Sequence, residues 1–109
     1  MRTMSHCTWL VVHAALDSAV ASRWFDDAGL AERAHNALRW ASGYVGSLYS
    51  DVAAEDLINV LSYAEDRALR RCTDTDVSVE GIDALVHLAV QLRAALKRVL
   101  EETSEATSP

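Results

Sequence analysis

The stretch VEGIDALVHLAVQLRAALKRVL, residues 79–100, decides the fold. Ile82, Leu85, Ala89, Leu92, Leu96 and Val99 recur at alternating steps of three and four, the spacing of one helical face. Val86, Leu88, Val90 and Leu100 carry the apolar arc well beyond that stripe. Ser78 stands where an N-cap is wanted, since its hydroxyl can accept from a backbone N–H of the first turn. Val77 and Ile82 flank it as a hydrophobic staple. The spacing predicts a helix over about 79–102.

Working toward the N-terminus, the same period returns three times. Ala54, Leu57, Leu61, Ala64 and Ala68 form the seam of a helix over about 52–72. Glu55 and Asp56 in its first turn and Arg70 and Arg71 in its last complement the helix dipole. Leu30, Ala34, Ala37, Ala41, Tyr44 and Leu48 mark a helix over about 28–49, with Asp26 or Asp27 as its cap. Trp9, Val12, Leu16 and Ala19, with Val20 and Trp24 beside them, mark a first helix over about 5–25.

Composition agrees with this periodicity. The 109 residues suit one domain with one core. Pro109 is the lone proline and there are four glycines, too few turn residues for a β-sandwich or barrel of this size. Alanine and leucine, strong helix formers, dominate. The links are short, which favours antiparallel neighbours. The expected fold is all-α: a single-domain antiparallel four-helix bundle over 1–102, followed by a disordered tail over 103–109.

The net charge is −6, unevenly placed: residues 1–54 carry four basic and five acidic groups, and residues 55–109 carry six and eleven. That field repels phosphate, so direct nucleic-acid binding is not expected. Arg2, the apolar run Trp9–Leu16 and Ala19-Val20-Ala21 faintly imitate a secretory leader. His13 and Asp17 interrupt that pattern, and no uncharged run approaches the ~20 residues of a membrane span. The expected location is the cytoplasm, away from membranes. Abundant alanine and arginine with one lysine suggest a GC-rich genome, bacterial or phage.

Several residues could carry chemistry. Glu32 and His35 form Glu-x-x-His, which di-iron carboxylate bundles use to place two ligands on one face. The companions such a site needs are missing: Asp17, Glu65 and the Asp83/His87 pair are the remaining candidates, and their register is poor. A solvated pair is the expectation, with no metal and no cofactor. His6 and His13 share one side of the first helix, which could support metal binding or proton transfer. Cys7 and Cys72 lack zinc-ligand spacing and read as buried free thiols. The start of the first helix and the end of the third are expected at the same end of the up-down bundle, so a disulfide between them stays open. Arg67, Arg70 and Arg71 could hold an anion, although dipole complementation and an Asp66–Arg70 pair are the favoured account of them.

The aromatics carry polar handles: three tryptophans and three tyrosines against one phenylalanine. Such residues are enriched in binding hot spots. Trp9, Trp24, Trp40, Val86, Leu88 and Val90 are therefore the expected interface residues. The expected function is a small acidic non-enzymatic module acting through protein–protein contact and self-association, as an accessory subunit, regulator or inhibitor of a larger machine. The alternatives are a carboxylate/histidine metal bundle built on Glu32 and His35, or a small-ligand bundle with a cavity of at least ~300 Å³ among Trp9, His13 and Trp40.

Overall fold

Short polar side chains set the helix starts. Ser5 Oγ accepts the Thr8 N–H at 3.1 Å, and helix α1 runs His6–Ala21. Ser78 Oγ accepts the Gly81 N–H at 3.2 Å, and α4 runs Val79–Glu105. Between them lie α2, Ala28–Ser42, and α3, Asp51–Arg71. The computed structural model describes residues 2–25, 28–42, 48–49 and 51–105. No described helix is long and apolar enough to cross a membrane.

The chain is an all-α, four-helix single domain. Each helix packs on its neighbours in sequence, and α4 closes the ring against α1. Cross-contacts give the directions. Near the start of α1, the Ser5 N–H donates to Glu102 Oε1 at 3.3 Å and Thr8 Oγ1 accepts from Arg98 Nε at 3.4 Å. Just past the end of α1, the Trp24 ring lies against Gly81 at the start of α4. Helices α1 and α4 are therefore antiparallel. The Arg71 Nε donates to the Trp24 carbonyl at 3.1 Å, so α1 and α3 finish at the same end.

The core follows the sequence seams closely in α3 and α4. Leu57, Leu61, Ala64 and Ala68 are buried, as are Leu85, Ala89, Leu92, Leu96 and Val99. In α2, Leu30, Ala34 and Ala37 are buried as expected, while Tyr44 and the proposed Asp26/Asp27 cap lie outside the described residues. In α1 the buried stripe is Thr8, Val12, Ala15, Leu16 and Ala19. Trp9 is displaced to the edge of that stripe and Val20 is exposed. Thr8 takes the inward position because its hydroxyl is satisfied by Ser5 and Arg98.

Three boundaries differ from the sequence expectation. Helix α1 stops at Ala21 rather than about Phe25. The Ser22 N–H still reaches Ala19, but Ser22 Oγ accepts from the Trp24 N–H at 3.3 Å, a side-chain turn that competes with the helix. Helix α2 is described to Ser42, and Leu48–Tyr49 form a short strand, β2, rather than the end of a helix. Its partner is β1, Arg2–Thr3, with Arg2 opposite Tyr49 and Thr3 opposite Leu48. The three–four period runs through Leu48, but a hydrogen-bonding edge from the far N-terminus supersedes it. This pairing seals the end of the bundle where α1 begins, and Met4 next to it is fully buried. Helix α4 continues to Glu105, so Thr103–Glu105 are helical rather than part of a tail; residues 106–109 lie outside the described residues.

The opposite end depends on Gly81. A Cβ there would lie 2.7 Å from Trp24 Cε3, 2.9 Å from Trp24 Cδ2 and 2.7 Å from Val77 Cγ1. In an open helix, Gly→Ala gains about 1 kcal/mol of propensity. Here Gly81→Ala is expected to cost about 1–3 kcal/mol through overpacking. Urea denaturation of the variant checks it, with Gly81→Ala/Trp24→Leu expected to recover part of the loss.

Candidate functional site

The metal-type candidates do not converge. Glu32 and His35 are both exposed on α2. Glu65 accepts from Arg93 Nε at 3.1 Å, across the seam between α3 and α4. His87 Nδ1 lies 2.9 Å from the Asp83 carbonyl oxygen and 3.7 Å from its carboxylate, all within one exposed turn of α4. Among the described residues no group of three or more His, Cys, Asp or Glu side chains could hold a metal ion.

The cysteines sit apart. Cys7 begins α1, at the Glu102 end of the bundle, and Cys72 follows α3, at the Trp24 end. The idea that these points share one end, which kept a disulfide open, is corrected by the antiparallel order: an up-going first helix starts where an up-going third helix does not finish. Both thiols are free, and Cys7 is exposed rather than buried. Cys72 is half-buried, with its Sγ 3.3 Å from the Ala68 carbonyl oxygen.

The arginines at the end of α3 are drawn in separate directions. Arg70 pairs with Asp66 at 2.8 Å, the i, i+4 contact expected from the sequence. Arg71 folds onto the α3–α4 link, its guanidinium donating to Asp74 at 2.7 Å and to both Asp76 oxygens at 2.9 and 3.1 Å. The hydrogen bonds from Arg71 hold the Asp76 carboxyl below its ordinary value and raise the guanidinium further above its own. This cluster is a clamp on the fold, because the same guanidinium holds the Trp24 carbonyl.

A groove of about 430 Å³ opens between α1 and α2, lined by Trp9, His13, Asp17 and Val20 on one wall and Ala31, Ala34, His35, Leu38 and Arg39 on the other. The small side chains of Ala31 and Ala34 leave the space. Trp9 and His13 meet edge to face at 5.4 Å, and His13 Nδ1 lies 2.6 Å from Asp17 Oδ2. Sequence spacing places Trp9, His13, Asp17 and Val20 on one stripe of α1. It did not reveal that His35 would line the facing wall, because that requires the α1–α2 packing. The side chain of Trp40, the third residue expected at such a cavity, lies outside the described residues.

Of the expected interface residues, Trp9 lines this groove and the Trp40 side chain lies outside the described residues, while the other four divide in two. Leu88 is 6% exposed and belongs to the core, on the side of α4 that packs inward. Trp24 is half-buried against Gly81, with Arg23 stacked on it at 4.6 Å, and acts as packing. By contrast Val86 and Val90, one turn apart, are 43% and 66% exposed, and Val79, two turns before Val86, is 84% exposed. Leu69, also exposed, lies one turn past Glu65 on α3. The Glu65–Arg93 bridge places that side of α3 along the α4 seam. The outward face of α4 thus carries an apolar strip with a further leucine at its margin.

These features define an all-α four-helix protein with an uncovered apolar strip on its longest helix and an open mixed groove between its first two. No family model matches the chain, and no curated protein or solved structure is significantly similar to it.

Because Asp76 ionises more readily when folded, its contribution to stability is complete above the ordinary carboxylate range, near pH 4. The contribution disappears as pH falls through the lowered folded value. The acid limb of a Tm-against-pH profile is therefore expected to flatten in Asp76→Asn, with the two proteins converging at the lowest pH.

Proposed function

We propose that this chain is a non-enzymatic helical module that acts through protein–protein contact, and that it associates with a second copy of itself through the outward face of α4. The observation that carries the reading is the strip Val79, Val86 and Val90. Single exposed apolar residues are ordinary on any surface. Here three share one helical face on the helix whose opposite face is already filled by Leu85, Leu92, Ala95 and Val99 at full burial. The core has no use for the outer strip, whereas a subunit contact does.

The acidic balance of the chain fits the same reading, since a net charge of −6 weighs against phosphate backbones as the partner. Two free cysteines at opposite ends of the bundle suit a reducing compartment, and we place the module in the cytoplasm. Regulator, accessory subunit and inhibitor are the roles such a module would fill. Sedimentation velocity from micromolar to sub-millimolar concentration tests the self-association, which is expected to be concentration-dependent and reversible. Val90→Glu, at an exposed position, is expected to keep the helical circular dichroism signal and shift the equilibrium to monomer by tenfold or more. A chain that stays monomeric throughout would end the proposal.

The groove favours a second reading, a site for a small organic ligand with an apolar body. Its volume of about 430 Å³ falls within the ~300–1,000 Å³ of ligand pockets. Trp9, Val20 and Leu38 offer apolar contact, and His35 with the His13–Asp17 pair offers polar partners. The probe 1-anilinonaphthalene-8-sulfonate is expected to bind saturably at one site. Ala31→Leu, which fills the groove, should abolish that binding, and Val90→Glu should leave it unchanged. Fluorescence that is indifferent to Ala31→Leu would place the probe elsewhere and remove this reading.

A further inference from the structure

We infer that the second copy docks in one register, with the two α4 helices antiparallel about a two-fold axis between Val86 and Val90. The inference rests on the self-association proposed above and specifies its geometry.

The outward positions of α4 are Val79, Asp83, Val86, Val90, Arg93 and Lys97, all exposed and spaced by alternating steps of four and three. That is the spacing of a helix–helix seam on the outward side of α4, with Arg93 at its edge also reaching Glu65 of α3. The order of residues along the seam is what selects the register. Reversing the seam onto itself about the midpoint of Val86 and Val90 sets Val86 against Val90 of the second copy, twice by symmetry. Asp83 then meets Arg93 of the second copy, and Val79 meets the aliphatic stem of Lys97. Each layer is apolar, oppositely charged, or a valine laid on a lysine stem. Because the arrangement is two-fold, each favourable layer occurs twice.

The parallel alternative fails on the same residues. It sets Asp83 against Asp83, Arg93 against Arg93 and Lys97 against Lys97, which places like charges in three layers of six. Neighbouring groups leave the antiparallel pairing intact. Arg93 gives its Nε to Glu65 at 3.1 Å, which leaves its terminal nitrogens for a second carboxylate. Asp83 lies 3.7 Å from His87, a long and exposed contact. Glu80 lies 3.7 Å from Arg23, also exposed, and flanks the seam near Lys97 of the second copy. Leu100, also exposed, lies about one turn past Lys97 at the end of the seam.

Cysteine cross-linking reads the register directly, in a Cys7→Ser/Cys72→Ser background whose fold is checked by circular dichroism. In the antiparallel register Asp83 and Arg93 of opposite copies adjoin, whereas the two Asp83 positions stand about 15 Å apart along the helix axis, ten residues of rise. A disulfide needs Cα atoms within about 7 Å. Under mild oxidation Asp83→Cys alone and Arg93→Cys alone should therefore stay uncross-linked, and an equimolar mixture should yield the covalent dimer. Independently, Asp83→Arg should weaken self-association about tenfold, and mixing it with Arg93→Asp should restore pairing between the two variants. Cross-linking of either single variant would establish the parallel arrangement and overturn the inference. Dimerisation of the parent chain with no cross-link in the mixture would overturn the register and leave self-association standing. A parent chain that remains monomeric would overturn both.

Discussion

The guanidinium of Arg71 ties Trp24, 47 positions away in sequence and just past α1, to the α3–α4 link. It donates to the Trp24 carbonyl just beyond α1, and to Asp74 and Asp76 in the link between α3 and α4. One planar cation with several fixed donors can serve all three acceptors at once, which a lysine could not do with the same geometry. The consequence is positional. With Trp24 held in place, its ring lies across Gly81 and sets how closely α4 can begin beside α1. The register of α4 along the bundle follows from that contact, and with it the direction in which each side of α4 faces.

Helix α4 has two dissimilar faces, and its composition reflects both. Leu85, Leu92, Ala95 and Val99 fill the interior completely. The opposite side mixes valine with Asp83, Arg93 and Lys97 in an order that is not symmetric in charge. Core burial gives no reason for such an order, since none of those residues enters the core. In the antiparallel pairing proposed above, that order sets Asp83 against Arg93.

The other end of the bundle is closed by different physics. Arg2–Thr3 and Leu48–Tyr49 pair through the backbone, and Met4 fills the space beneath. A two-residue pairing has little stability of its own. Here it gains from the buried methionine and from β1 packing against α4. Between the two ends, α1 and α2 make the least extensive contact of the adjacent helix pairs. Alanines 31 and 34 do not span the distance to Trp9 and His13, and the result is the open groove.

Much of this architecture was legible in the residue order. The four helices and the inward faces of α3 and α4 follow from periodicity, because a helix repeats its environment every three to four residues and burial selects for it. The Asp66–Arg70 pair and the Ser78 cap followed from spacing for the same reason: both are interactions within one or two turns. Tertiary structure alone decided the rest. Leu48 left the helical pattern because its hydrogen-bonding partner is Thr3. His35 came to line the wall opposite His13 only because α1 packs on α2. Each of these depends on a contact between segments distant in sequence, and local periodicity carries no record of which distant segment will be met.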